Sequence, residues 1–428
     1  MKRIFIIGSG GREHAIVWAI RNTSPVPVEL FCAPGNAGIG QLAQLVNISV
    51  NDHAELARFA ESNAIDLTFV GPEAPLTAGL VDAFTARGLP IVGPTMAASR
   101  LEGSKIFAKD FMARHGIPTA VYRVADSAEQ AFEFLRSGEF GSVDAPVVIK
   151  ADGLAAGKGV VVAADRAEAE KAVDDLMIRH VAGENAAERI VIEETLLGTE
   201  ASLLLFSDGR DYALMPAARD HKRIGDNDTG PNTGGMGSIT DPSVLDQATL
   251  ERVVREIVEP TLAGSRDEGF AFKGVLFLGL MLTAEGPKLL EYNVRFGDPE
   301  TQAILIRLKT DLSSVFDSIR TGTLGQLKLE WAPGASACVV AANRGYPGKY
   351  ESGAEISGLD EVDEPRVQVF HAGTSLATNG RFIATGGRVL GLTAAAENLS
   401  RALELCYGAL AKIHWPGIQF RTDIGRRR

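Results

Sequence analysis

The sequence predicts an α/β and α+β multidomain protein: an N-terminal domain on a parallel sheet, a central core with a small inserted subdomain, and a C-terminal β-rich domain. Three observations predict it. The 428 residues, at roughly 150 per domain, amount to about three domains. The first hundred alternate short apolar runs with helical periodicity, as a doubly wound parallel sheet requires. Beyond them, strands come in pairs around single helices, and the last hundred residues form a separate run of strands closed by one amphipathic helix. Boundaries are expected at 1–103, 104–328 (inserted subdomain about 123–190) and 329–428.

Arg3–Ile7 reads as a buried strand, followed by the glycine turn Gly8–Gly11 and a helix from about Glu13. Glu29–Cys32, Leu67–Val70 and Pro90–Val92 are further strands, each ended by glycine or proline. Glu102–His115 reads as one helix closed by Gly116 and Pro118. In the subdomain, Ala120–Val124 is a strand, and Ser127 can cap the helix Ala128–Arg136. Pro146–Lys150 and Gly159–Ala163 are strands joined by a glycine-rich turn. The helix Arg166–Met177 and the strand Arg189–Glu193 complete it. Asp220–Gly237 reads as a long polar loop and Leu245–Leu262 as a helix. Gly274–Leu282 and Lys288–Val294 pair as strands before the helix Pro299–Lys309. Ser336–Ala342, Arg366–His371 and Arg381–Val389 are strands of the last domain, and Ala394–Ile413 is its helix.

A net charge of −11 argues against sequence-independent nucleic-acid binding, which needs a basic footprint. Three widely spaced cysteines, Cys32, Cys338 and Cys406, with no Cys-x-x-Cys, indicate a reducing compartment rather than a disulfide framework. The apolar run Ile4–Ile7 is too short for a signal-peptide core. The longest apolar stretch, Gly274–Ala284, falls short of the ~18 residues that span a bilayer. A cytoplasmic protein without nucleic-acid or membrane partners is expected, as a monomer or weak dimer. Glycine is the unusual residue, with 46 in the chain.

Gly8-x-Gly10 after a strand invites a dinucleotide reading, but the third glycine of that fingerprint would fall on Glu13, and the second strand ends without the acidic ribose reader. Two readings stand for the turn: a tight strand-to-helix connection, or backbone N–H groups facing a phosphate at a helix N-terminus. Gly153–Gly159 is no P-loop, because three residues precede Gly157-Lys158 and a strand follows. A hairpin needs only two to five loop residues; lysines at 150 and 158 with several glycines fit a flap over polyphosphate. Glu291 and Asn293 share one face of a strand and offer hard oxygens of the kind that hold Mg²⁺ beside phosphates and water. Arg295 and Asp298 follow at once, and so many charges at a buried strand's exit need partners. Glu193, Glu194 and Glu200 flank Leu196; they serve either a ribose diol or a solvated edge strand. Asn232-Thr233-Gly234 lies in a loop of little bulk beside Asp220-His221-Lys222-Arg223, which favours a substrate loop.

Together these pieces resemble the ATP-grasp family, and within it the glycinamide ribonucleotide synthetases, essentially end to end. The resemblance is carried by Gly10-Gly-Arg-Glu-His-Ala15, Ala33-Pro-Gly-Asn-Ala-Gly38, Val70-Gly-Pro-Glu-Ala-Pro-Leu76, Leu101-Glu-Gly-Ser-Lys105, Ile149–Gly159, His221-Lys-Arg223 and Gly230–Gly237. Arg295-Phe-Gly-Asp-Pro-Glu-Thr-Gln302 is the most specific.

The resemblance implies an ATP-grasp core with a lid, and an ATP-dependent ligation of glycine to 5-phosphoribosylamine through glycyl phosphate, in purine synthesis. It implies that Lys109 and Lys150 contact ATP phosphates, Glu193 and Leu196 hold adenine, and Glu200 takes the ribose hydroxyls. Glu291 and Asn293 would bind Mg²⁺ or Mn²⁺, and the loop with Gly157 and Lys158 would close over the triphosphate. Arg295 is expected at the glycine carboxylate, Asp298 at an amine, and Gly10, Gly11 and Asn36 at the ribose phosphate, with Asn232, Thr233 and Gly234 in the substrate loop. Two features depart from the family pattern. Gly274–Leu282 contains no Asp or Glu for a second metal, and Ser238-Ile239-Thr240 lacks an aromatic residue. The C-terminal hundred residues are expected to cover the nucleotide end and complete the cleft. The alternatives are another ATP-grasp ligase or carboxylase, and a non-catalytic nucleotide-binding protein.

Overall fold

The computed structural model describes residues 1–153, 159–181 and 188–426; Gly157 and Lys158 lie outside them. Five parallel strands open the chain, in the order Gln44–Leu45, Val28–Pro34, Lys2–Gly8, Leu67–Val70, Ile91–Val92. Ile4 to Ile7 are fully buried, as a central parallel strand covered on both faces demands.

The expected helix Glu102–His115 is two helices, Met96–Gly103 and Lys105–Arg114. Ser104 separates them: its backbone is extended and its hydroxyl accepts from Phe107 N, capping the second helix. Ser104 Oγ also donates to Asp152 Oδ1 at 2.8 Å, which ties the joint to the small unit beyond.

That unit is a four-stranded antiparallel sheet ordered Tyr122–Ala125, Ile190–Glu194, Val147–Ala151, Val160–Ala163. Val147, Ile149 and Ala151 point into its own core. Lys150 therefore points the other way.

The remaining strands form one ten-stranded sheet. Its path runs Gly286–Asn293, Lys273–Thr283, Thr199–Asp208, Ala218–Asp220, Gly237–Thr240, Ala335–Asn343, Arg388–Ala396, Val367–His371. The strand Gly237–Thr240 pairs with Ala335–Asn343, so the sheet passes without a break from the central core into the last hundred residues. Ser238, Ile239 and Thr240 are buried in it, where an aromatic side chain would need room the sheet does not leave.

Three further readings change. The Asp220–Gly237 loop contains the hairpin Arg223–Gly225 with Thr229–Asn232. The alanines at 394–396 extend a strand instead of starting a helix. They pair with Ala335–Ala337, and the helix waits for Asn398, which caps Leu399–Leu410; tertiary pairing overrides alanine's helix propensity. Arg381–Val389 divides into Phe382–Ala384 and the start of Arg388–Ala396. Gly386 lies between them, so close to Gly373 that a Cβ on Gly373 would sit 2.3 Å from the Gly386 Cα. The three cysteines are buried and unpaired. Among the described residues no helix is long and apolar enough to cross a membrane.

Candidate active site

A cavity of about 470 Å³ lies where the parallel-sheet domain, the small unit, the ten-stranded sheet and the C-terminal strands meet. Its lining includes Lys109, Lys150, Glu193, Glu291, Asn293, Arg295, Asp298, Thr233 and Gly234, all expected from the sequence. It also includes Arg12, Glu73, Glu102, Lys105, Asp220, Lys222, Glu300, Tyr346 and Arg388, which were not assigned as site residues.

One end is a compact charge cluster. On the small sheet Val148 faces Glu193, so Lys150, two residues on, is Glu193's diagonal neighbour on the same face. Lys150 Nζ lies 2.9 Å from the Glu193 carboxylate, and Lys109 Nζ reaches it at 3.1 Å from the helix Lys105–Arg114. Lys109 also donates to Thr119 Oγ1 at 2.7 Å. Burial lowers the Lys109 pKa to about 8, with Lys150 adding to the fall and Glu193 opposing it. Two ammonium groups thus share one carboxylate, an excess of positive charge suited to a polyanion. The Glu193 side chain is paired with both lysines. Leu196 sits on the connector to the next strand, outside the cavity lining. Glu200 is paired with Lys222 at 2.6 Å and stays about half exposed.

Glu291 and Asn293 face the cavity from one side of their strand, while Tyr292 turns into the core and meets Thr261 at 2.7 Å. Gly279, opposite Glu291, leaves room for the carboxylate: a Cβ there would be 3.1 Å from Glu291 Cγ. Burial works against the Glu291 charge, but Lys222, Lys105 and Lys150 outweigh it and hold the carboxyl below its ordinary range. Among the described residues no three His, Cys, Asp or Glu side chains form a metal cage. Two hard oxygens beside a phosphate-binding cluster nevertheless fit Mg²⁺, which takes most of its shell from phosphates and water.

At the other end Arg295 Nε reaches Glu73 at 3.2 Å and its Nη2 reaches Glu102 at 2.8 Å. Glu102 in turn accepts from Val294 N at 2.7 Å. These contacts fix the guanidinium plane while it lines the cavity. Asp298 is crowded with donors: Gln302 Nε2 at 2.9 Å, Arg12 N at 3.3 Å and Arg388 Nη1 at 3.3 Å. Despite burial, Arg388 and Arg12 keep its pKa below the usual range. Asp298 is therefore a junction between the N-terminal helix, its own loop and the C-terminal strand.

Three further expectations are corrected. Asn36 is saturated: its Nδ2 donates to the Ser9 and His371 carbonyls, both at 2.8 Å, and its Oδ1 accepts from Ile39 N at 2.9 Å. It braces the glycine turn against the C-terminal strands and does not line the cavity. Gly10 N–H is taken by Glu13 Oε2 at 2.6 Å, and a Cβ on Gly11 would lie 2.6 Å from Gln302 Nε2. The helix N-terminus thus already faces carboxylates, and close packing is what these glycines provide. Asn232 is exposed on the hairpin, paired with Arg223. The C-terminal residues complete the cleft as expected, but at the end away from the lysines. Arg388 donates to the carbonyls of Gly234 at 2.6 Å and Asp298 at 2.7 Å, and Tyr346 OH accepts from Gly234 N at 2.9 Å. The glycine pair before Arg388 was the only sequence signal for it.

The chain matches the Phosphoribosylglycinamide synthetase N domain over residues 2–102, the ATP-grasp (A) domain over 103–301 and the C domain over 336–427. The chain belongs to the phosphoribosylglycinamide synthetase family. Phosphoribosylamine–glycine ligase of Caldanaerobacter subterraneus is 47% identical over 99% of both chains. That of Agrobacterium fabrum is 48% identical over 99% of this chain and 98% of its own. A crystal structure of the Thermotoga maritima phosphoribosylamine–glycine ligase, 34% identical, superposes with a TM-score of 0.84 over 98% of this chain and 99% of its own. Biotin carboxylase of Campylobacter jejuni, 16% identical, shares the fold, with a TM-score of 0.71 over 98% and 93%. The family's three parts account for the meeting of N-terminal, central and C-terminal residues at one cavity.

Proposed function

We propose that this chain ligates glycine to 5-phosphoribosylamine with ATP, yielding glycinamide ribonucleotide, ADP and phosphate, in purine biosynthesis. The observation that carries the reading is the single cavity that combines the Lys109–Lys150–Glu193 cluster with Arg295 and the Thr233–Gly234 loop. A carboxylate does not react with an amine at neutral pH, so glycine must be activated. Attack of its carboxylate on the γ-phosphoryl group gives glycyl phosphate, and catalysis is mostly positioning and charge neutralisation.

Lys150 and Lys109 receive the phosphates. Glu193 keeps both ammonium groups aimed at them, a preorganised arrangement that costs no rearrangement during the reaction. Arg295, its plane set by Glu73 and Glu102, presents its remaining N–H bonds to the glycine carboxylate and then to the acyl phosphate. Glu291 and Asn293 would hold Mg²⁺ or Mn²⁺, which offsets phosphate charge when bound. The second oxygen of Glu200 is open to a ribose hydroxyl. Arg12 and Arg388 are the cations available to the ribose phosphate. The amine of phosphoribosylamine then displaces phosphate from the acyl carbon. The reaction is placed in the cytoplasm, where three unpaired thiols stay reduced.

The test is ADP release from purified protein with Mg-ATP, omitting each substrate in turn. Full release is expected with both glycine and phosphoribosylamine, and at most a slow partial turnover with glycine alone. Release indifferent to both would sink the assignment.

A further inference from the structure

Beyond the last helix, the segment Arg421–Gly425 is tied to the loop that carries Thr233 and Gly234. Arg421 is only 2% exposed, and a buried guanidinium is costly unless its donors are met. One side of its fork meets the Asp423 carboxylate, Nε to Oδ1 at 2.8 Å and Nη2 to Oδ2 at 2.9 Å. Nη1 crosses to the hairpin, reaching Asp228 Oδ1 at 2.7 Å and the Arg223 carbonyl at 3.1 Å. Asp423 Oδ2 also accepts from Asn227 N, and Thr422 N donates to Asp226 Oδ1, both at 2.8 Å. Gly425 N donates to His221 Nε2 at 3.1 Å. Burial and the Arg421 charge lower the His221 pKa to about 4, so the ring stays neutral and keeps that acceptor. On its other side the segment is anchored to the helix Leu399–Leu410, where Tyr407 OH donates to the Arg421 carbonyl at 2.9 Å.

Both ends of the hairpin lead into the cavity. Lys222 precedes it, Thr233 and Gly234 follow it, and all three line the cavity, whereas Arg421 and Asp423 do not. Thr233 closes the base: its N and its Oγ1 both donate to the Lys222 carbonyl at 2.8 Å. The Gly234 carbonyl then accepts from Arg388 Nη1 at 2.6 Å, and a guanidinium held on a backbone carbonyl goes where that backbone goes. Residues 227–232 are exposed, so apolar packing does not set their place and the polar ties to the C-terminal segment do.

We infer that Arg421 is a positioning residue for the phosphoribosylamine end of the cavity: with Asp423 it clamps the hairpin from outside, and the hairpin sets Gly234 and through it the Arg388 guanidinium. The inference rests on the proposed reaction, in which Arg388 is a cation available to the ribose phosphate. Arg421 acts only through the loop. Its planar fork binds two carboxylates and a carbonyl at once, which a point charge on a flexible stem does not do. The clamp acts on one end of the cavity alone. Lys109, Lys150 and Glu193 stand on a helix and a sheet of their own, so a loosened hairpin leaves the phosphate cluster in place.

The experiment compares full-length wild type, Arg421→Ala and Asp226→Ala in steady-state ADP release at saturating glycine, with the melting temperature of each. Arg421→Ala is expected to raise the KM for phosphoribosylamine about 30-fold, as loss of a buried charged partner does, with the KM for ATP within about threefold. Asp226→Ala removes only the exposed tie to Thr422 and should raise the same KM about fivefold. A segment that merely stabilised the fold would lower the melting temperature and leave both KM values unchanged in the folded protein. A KM for phosphoribosylamine within about threefold of wild type in both variants, an equal rise in the KM for ATP, or a fall in kcat alone overturns the inference. If Arg421→Ala does not fold, Asp226→Ala decides by the same limits. ADP release by the wild type that ignores phosphoribosylamine would strike the functional reading itself; dependence on phosphoribosylamine kept equally in wild type and variants strikes only the clamp.

Discussion

The two ends of the cavity are built in opposite ways. The lysine end comes from neighbouring pieces: adjacent strands of the small sheet supply Lys150 and Glu193, and one helix packed on them supplies Lys109. The arginine end is drawn from the whole chain. Arg12, Glu73, Asp298 and Arg388 come from the first helix, the parallel-sheet domain, the central core and the C-terminal strand. The first end depends on one sheet's alternation; the second exists only when all three parts are docked. Under the proposed function, a nucleotide would be received by local structure, and the substrates to be joined would be held where the domains converge.

The sharpest break of that comparison is at the lysine end. Lys150→Met leaves Glu193 with one cation and removes a preorganised contact to phosphate. It is expected to lower kcat/KM for ATP by roughly 10²–10³-fold without loss of fold, since Lys150 faces away from the small unit's core. Near-wild-type kinetics would remove Lys150 from the site.

At the other end Arg388→Ala strips three contacts at once: the Gly234 carbonyl, the Asp298 carbonyl and the Asp298 carboxylate. About a 10²-fold fall in kcat/KM for phosphoribosylamine is expected, with the KM for ATP nearly unchanged. An equal rise in the KM for ATP would mean that the two ends are not independent.

Docking of the N-terminal helix on the C-terminal strands gives the comparison a pH dependence. His14 Nδ1 accepts from His371 N at 2.8 Å, among Trp18, Phe370 and Phe382. Burial lowers the His14 pKa to about 3 and the His371 pKa to about 4. Both are neutral when folded and take protons more readily when unfolded, at about 6.5. Their contribution to stability is complete above pH ~6.5 and is lost as pH falls toward 4, by a few kcal/mol in order of magnitude. The melting temperature should fall over that window, and His14→Asn, which keeps an acceptor, should flatten the fall. A slope the variant leaves unchanged would assign it to other groups.

The same contrast explains what could be read in the sequence. Leu67–Val70 and Ala128–Arg136 coincide with their sequence readings, because apolar runs and a serine cap act locally. Lys150, Glu291 and Asn293 were legible because strand alternation alone aims them. Asn36 was misread because its partner His371 lies far along the chain, and Gly10 because the Glu13 side chain folds back on the turn. A lone Asn or Asp in a loop looks the same whether its oxygens are free or spent.

The finest test concerns Glu200, which does not line the cavity itself but pairs with Lys222, which does. Lys222 occupies one of its oxygens at 2.6 Å, and both side chains are more than 40% exposed, so the pair itself contributes at most about 1 kcal/mol to stability. If the other oxygen takes a ribose hydroxyl, Glu200→Gln keeps an acceptor but weakens a charge-assisted bond by roughly half. The expected result is a rise of about three- to tenfold in the KM for ATP, with kcat and melting temperature scarcely changed. 2′-Deoxy-ATP should lose its disadvantage in the variant if that hydroxyl is the 2′ one, and 3′-deoxy-ATP if it is the 3′ one. A variant that discriminates both analogues as wild type does would leave Glu200 as the holder of Lys222 alone, and the ribose would then belong wholly to the lysine end.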